Sequence, residues 1–155
     1  MNSDSRYKMK IGIVGYSSKK IDENMGTQLL EQEISKIVIS HSKAESVEIV
    51  TGLTSIGIPK LAYQIADKRN YIKTGISAQQ AYLVKCGVYP VDNEIIVGEV
   101  FGDESQTFVD YIDYLVRIGG GKQSAHEVAL FKEKCVQLEW NLSERLFEQE
   151  FQLSI

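Results

Sequence analysis

The sequence predicts an α/β protein, a three-layer Rossmann-like sandwich whose mostly parallel sheet carries helices on both faces. Two observations lead there. Short apolar runs rich in β-branched residues alternate along the chain with longer segments whose apolar residues recur at spacings of three and four. Four of those runs are also followed within two residues by a glycine: Gly15, Gly52, Gly98 and Gly119. In open parallel sheets that carboxyl edge is where ligands bind.

The elements follow in order. Met9 to Val14 (MKIGIV) has the length and β-branched content of a first strand. Asp22 to about Ser40 carries Met25, Leu29, Leu30, Ile34, Ile37 and Val38, the stripe of an amphipathic helix. Val47 to Val50 is the second strand, and Pro59 to Arg69 a helix with proline in its first turn. Tyr71 to Ile76 predicts strand three, and Ala78 to Val84 a short helix before the loop with Pro90. Glu94 to Val97 predicts strand four, Asp103 to Asp110 a helix, and Tyr111 to Ile118 strand five. Ser124 to Lys134 reads as a helix and Val136 to Trp140 as a last strand. The apolar segment 141–155 then folds back or docks on a second subunit, with Ser143 placed to cap a short helix. A homodimer or higher homo-oligomer is the expectation.

With 155 residues, 43% hydrophobic and 25% charged, the chain is expected to be a single domain, its core at about 9–140. A net charge of −4 without a basic stripe argues against nucleic acid as partner. MNSDSRYKMK has no apolar signal region, and no window approaches the ~18 apolar residues of a span, so no membrane partner is expected. Cys86 and Cys135 show no CxxC spacing and read as reduced thiols of a cytoplasmic protein. With His41 and His126 they form no metal set, and neither metal nor cofactor is expected.

Chemistry concentrates in three turns. In RIGGGKQSAHE, Gly119, Gly120 and Gly121 precede a helix whose first N–H groups lack intrahelical partners, a natural phosphate site. Lys122 adds a charge there, Gln123 and Ser124 add polar side chains, and Arg117 either joins the site or forms a structural ion pair. Ser124 and Glu127 fit a capping box, or Glu127 faces the ligand; the two roles compete for one side chain. The turn GYSSKK offers Gly15, Tyr16, Ser17 and Ser18 with Lys19 and Lys20 nearby, and TGLTSIG offers Gly52, Thr54, Ser55 and Gly57. Asp103 and Glu104 start a helix or contact a ribose. Neither a P-loop nor G-x-G-x-x-G occurs, so a dinucleotide redox site is unsupported.

Three pieces in this order, IGIVGYSS, IVTGLTSIGIPKLAYQIA and VRIGGGKQSAHE, resemble the SLOG superfamily of Rossmann-like nucleotide-binding proteins. That superfamily includes the LOG phosphoribohydrolases and the DNA-processing protein DprA. The third piece is similar to its P-G-G-x-G-T-x-x-E signature. Gly119 stands at the proline, Gly120 and Gly121 at the paired glycines, Gln123 at the third glycine, Ser124 at the threonine and Glu127 at the glutamate. In LOG enzymes an arginine some fifteen residues upstream works with that glutamate; here the register falls on Glu104 and Ser105, and no Arg or Lys occurs between Gly98 and Val116. The resemblance implies a nucleotide pocket. The expected function is binding of a nucleotide or ADP-ribose-like signal, as sensor or sequestering protein; the alternatives are N-glycosidic hydrolysis with Glu127 as catalytic residue and an interaction protein with a degenerate pocket.

Overall fold

The computed structural model describes residues 8–17, 20–41 and 46–153. Ser18 and Lys19 of the first turn, the N-terminal decapeptide up to residue 7, and Ile155 lie outside them. The elements run β1 (Lys8–Gly15), α1 (Glu23–Ser40), β2 (Ser46–Thr51), α2 (Gly57–Arg69), β3 (Ile72–Ser77), β4 (Asn93–Ile96), α3 (Ser105–Tyr111), β5 (Tyr114–Ile118), α4 (Lys122–Leu138) and β6 (Leu146–Gln149). A 3-10 helix at Gln79–Leu83 follows β3, and a shorter one at Leu142–Glu144 precedes β6.

All strand pairs are parallel and lie in the order β4-β3-β2-β1-β5-β6. The alternation of strand and helix forces this, because parallel neighbours need a crossover and short crossovers here are helical. Residues of β1 alternate between two cores. Met9, Ile11 and Ile13 pack with Leu30, Ile34 and Ile37 of α1 and Leu61 and Ile65 of α2. On the other face Val14 joins Phe108 and Val109 of α3 and Val128, Phe131 and Cys135 of α4. Chain order reverses direction across the sheet at β1, which lies between β2 and β5, so the turns after β1 and β5 diverge and open a crevice.

Two predicted elements come out differently. Val136 to Trp140 is not a strand; α4 continues to Leu138 because Val128, Phe131 and Cys135 keep a helical stripe against the sheet. Val136 itself points to solvent, and the helix stops at Glu139, left-handed with φ 56°, whose N–H bonds the Cys135 and Val136 carbonyls. The sixth strand lies later, where Leu146, Phe147, Glu148 and Gln149 pair with Leu115 to Ile118. Around Ser143 the cap is Asn141, whose side chain accepts from Ser143 N–H at 3.2 Å, and only a single 3-10 turn follows. Smaller shifts concern Tyr111, which closes α3 rather than opening β5, and α4, which starts at Lys122 instead of Ser124. Among the described residues no helix is long and apolar enough to cross a membrane.

Candidate functional site

A cavity of about 230 Å³ opens at the carboxyl edge of the sheet, beside the crevice at β1. Ile13, Val14 and Ile76 form its floor, and Gly15 and Ser17 enter from the turn after β1. The β2–α2 turn contributes Thr51, Gly52, Thr54, Ile56 and Pro59. Ser77 and Val84 close the side beyond β3, Phe101, Glu104 and Phe108 the side at α3, and Gln123, Ser124 and Glu127 that at α4.

The β2–α2 turn is held by hydrogen bonds that leave its inner surface free. Tyr63, fully buried in α2, reaches the carbonyls of Thr51 and Gly52 at 2.9 and 2.8 Å. Ser77 Oγ accepts from Leu53 N–H at 2.8 Å, and the segment 84–90 covers the turn through Ser55 N–H to Gly87 O and Tyr89 N–H to Leu53 O. A β-carbon at Gly52 would meet only Ser77 Oγ, at 3.5 Å, so this glycine keeps the cavity open.

At the other wall the glycine triplet divides its work. Gly119 (φ 60°) spends its N–H on Gln149 O of the edge strand and packs under the Tyr16 ring. Gly120 (φ 108°) needs a conformation that only glycine adopts freely, and a β-carbon there would lie 2.5 Å from Ser124 Oγ. Gly121, the N-cap of α4, has an ordinary φ of −106° and open space around it. No side chain caps this helix, so among the described residues the amides of Lys122, Gln123 and Ser124 take no acceptor. The first turn of α4 therefore presents unpaired N–H groups and the positive end of its dipole at the cavity.

Ser124 does not form the capping box with Glu127. Helix α4 begins two residues earlier, so Ser124 sits inside it and Glu127 is free to point into the cavity, 6% exposed. Glu127 Oε2 accepts from Ser105 Oγ at 2.9 Å and from Gln123 Nε2 at 3.3 Å. The same Gln123 amide donates to Glu104 Oε2 at 3.0 Å, and Glu104 Oε1 takes the Gly102 N–H at 2.9 Å. Burial pushes the Glu127 carboxyl up to about 7, with the Ser105 and Gln123 bonds opposing and the nearby Glu104 charge adding to the rise. No lysine, arginine or histidine lines the cavity among the described residues.

Of the residues singled out in sequence, Gly15, Ser17, Gly52, Thr54, Glu104, Gln123, Ser124 and Glu127 are brought together in the lining. Others lie behind it. Tyr16 accepts the Ile58 N–H on its carbonyl, and Gly57 (φ 66°) turns the chain into α2. Ser55 is tied to Gly87, Gly119 and Gly120 shape the turn, and Gly121 and Lys122 stand exposed at the helix start. Asp103 points away: its Oδ2 accepts the Glu99 and Val100 N–H groups at 2.9 and 3.1 Å, which hold its carboxyl below the usual range. Arg117 is half-buried on β5, paired with Glu148 at 2.6 Å and Glu150 at 2.8 Å, and donates to Gly119 O at 3.0 Å. It braces the glycine turn and the edge strand from outside the cavity.

Sequence reasoning took Asp103 and Glu104 together as ribose-contact candidates and named only Asp103 as a binding residue; of the two, Glu104 lines the cavity. Ser105, Phe101, Phe108 and Val84 carried no local signal; only the packing of α3 on α4 and the cover over β3 bring them in.

No protein-family model matches the sequence, and no curated protein matches it significantly. Solved structures do. The molybdenum cofactor binding protein of the phototrophic bacterium Rippkaea orientalis superposes with a TM-score of 0.63 at 19% identity, over 94% of this chain and 78% of the other. The molybdenum cofactor carrier protein of Chlamydomonas reinhardtii gives 0.59 at 22% identity, over 82% and 72%. The protein TM1055 gives 0.56 at 18%, over 81% and 69%. At such identities the likeness establishes the three-layer Rossmann-like fold.

Proposed function

We propose that this chain is a SLOG-type binding protein that holds a nucleotide or an ADP-ribose-like signalling ligand, linear or cyclic, in the cavity. One juxtaposition carries the reading. Uncapped amides at the start of α4 suit a phosphate, while Glu127, about 5–8 Å further along by helical rise, and the Gln123 side chain bonded to it suit the hydroxyls or amines of a nucleoside. The cavity is small against the 300–1,000 Å³ or so of pockets that enclose a whole drug-sized ligand, so one end of the ligand sits inside and the rest lies over the rim. The same reading takes the protein as a cytoplasmic homo-oligomer.

Binding is favoured over N-glycosidic hydrolysis because among the described residues the lining offers Glu127 without a cationic side chain to steady a departing anionic group. The names of the structural neighbours favour a second reading, carriage of the molybdenum cofactor, which belongs in the same screen. Melting temperature is measured with AMP, ADP-ribose, cyclic ADP-ribose and the cofactor, followed by chromatography of each mixture. Binding predicts a rise with the ligand recovered intact. Gly52→Val places two methyl groups in the opening without a backbone clash, so it is expected to abolish that rise while leaving the unliganded melting temperature within a few degrees. Recovery of free base refutes the non-hydrolytic reading, and a rise that survives Gly52→Val places the ligand elsewhere.

A further inference from the structure

Glu104, Gln123, Ser105 and Glu127 interlock at the inner wall of the cavity, and their hydrogen-bond count leaves something over. Both donors to Glu127, Ser105 Oγ and Gln123 Nε2, fall on Oε2. Oε1 takes no hydrogen bond from any described residue. No fully buried side-chain oxygen among the described residues lacks a partner, so this unpaired oxygen, on a residue only 6% exposed, is open to the cavity. Glu104 beside it is 5% exposed, and each of its oxygens accepts a single bond, from Gly102 N–H and from Gln123, which leaves lone pairs on both.

Glu104 accepts and does not donate, Glu127 does the same once it ionises at about pH 7, and among the described residues no cation in the lining offsets them. Glu104, and Glu127 once ionised, repel a phosphate or carboxylate of a ligand. The charge arrangement is therefore polar along the cavity: amides of the α4 start at one end, carboxylate oxygens at the other. Building on the nucleotide-binding reading, we propose that Glu104 and Glu127 form a donor-reading subsite that takes the uncharged, donor-bearing end of a nucleotide, with the phosphate outward at the start of α4. Glu104 is its specificity-determining residue, since its acidic side chain bars a second anion from the inner end. The donors come from one of two sources, the exocyclic amine of a nucleobase or the ribose 2′-hydroxyl.

The test is a ligand series on the wild-type chain and on Glu104→Gln by isothermal titration: AMP, GMP, IMP, and the 2′-deoxy form of each. Loss of one hydrogen bond to a carboxylate is expected to weaken binding roughly 10- to 100-fold. A drop from AMP or GMP to IMP assigns the donors to the base, and a drop on 2′-deoxygenation assigns them to the ribose. Glu104→Gln, whose amide keeps the shape and presents a donor of its own, is expected to flatten that discrimination. Should amine and 2′-hydroxyl both be dispensable within twofold in the wild type, the subsite is refuted although nucleotide binding stands. Equal discrimination by Glu104→Gln and wild type refutes the role of Glu104. Binding of no nucleotide at all overturns the underlying reading and this proposal together. The wild-type series decides even if Glu104→Gln fails to fold.

Discussion

Replacing Glu127 by glutamine removes a carboxyl that the fold holds protonated far above its ordinary range. Burial carries its value from 4.5 to about 7 on folding, which at about 1.4 kcal/mol per pH unit makes ionisation cost the folded state about 3 kcal/mol. The sign follows from linkage. Between pH 4.5 and about 7 the unfolded chain ionises at this position while the folded chain keeps its proton. Stability is fully present below 4.5, falls as pH rises through that window, and above 7 is lower by the full amount. Glutamine cannot ionise, and its carbonyl oxygen can still accept from Ser105 Oγ and Gln123. Glu127→Gln is therefore expected to match the wild type near pH 4.5 and to exceed it by about 2–3 kcal/mol at pH 8. The groups facing the carboxyl are Ser105 and Glu104 from the α3 side and Gln123 on its own helix, so no cation among the described residues cancels the effect. Urea unfolding of both proteins in half-unit steps from pH 4.5 to 8.5 measures it as a difference of two profiles, in which other titrations common to both cancel. Parallel profiles would show that the cavity hydrates Glu127 far better than its burial implies, and the reasoning from burial would fail.

Two further substitutions separate scaffold from site. Gly120→Ala combines a φ of 108° with a β-carbon 2.7 Å from Ser124 Cβ, so a loss of about 1–3 kcal/mol in urea unfolding is expected, whereas Gly121→Ala, in open space, should stay within about 0.5 kcal/mol. Equal losses at the two positions would contradict the division of labour within the triplet. Arg117→Ala releases Glu148 and Glu150 and is expected to cost about 1 kcal/mol, with faster amide exchange in β6 and unchanged ligand affinity; a selective loss of affinity would put Arg117 in the site after all.

The fold was legible because the central strands are buried on both faces, which writes them as apolar runs, while α1 and α2 bury one stripe each. The chain after residue 134 was not. Val136 and Leu138 look like strand residues, yet they ride on the exposed side of a helix whose register is set by Phe131 and Cys135. That error hid a second fact. With β6 placed at Leu146–Gln149, Arg117 gains Glu148 and Glu150 as partners, and only a correct position for the edge strand reveals that its charge is spent. Asp103 and Glu104 show the same limit at one-residue scale. Both are acidic at the start of a helix, and which of them turns inward depends on Gly102, whose N–H meets Glu104, and on Glu99 and Val100, whose amides claim Asp103.

Three successive glycines read as an invitation to a phosphate, but two of them answer to the backbone. Gly119 gives its amide to the edge strand and Gly120 adopts a conformation closed to other residues with its neighbours pressed close, so neither is free to be anything else. What they achieve is to deliver α4 uncapped, with Gly121 leaving room in front of amides 122–124. An anion site there depends on space and unpaired donors rather than on glycine flexibility at the point of contact. The same early start of α4 explains the inner wall: a helix capped at Ser124 would have placed Glu127 at its third position, reaching back to cap, whereas a cap three residues earlier, at Gly121, carries it past the first turn and leaves its carboxyl to Ser105, Gln123 and the cavity. The uncapped amides and the placement of Glu127 are thus set by one structural event, the point at which the glycine turn lets the helix begin.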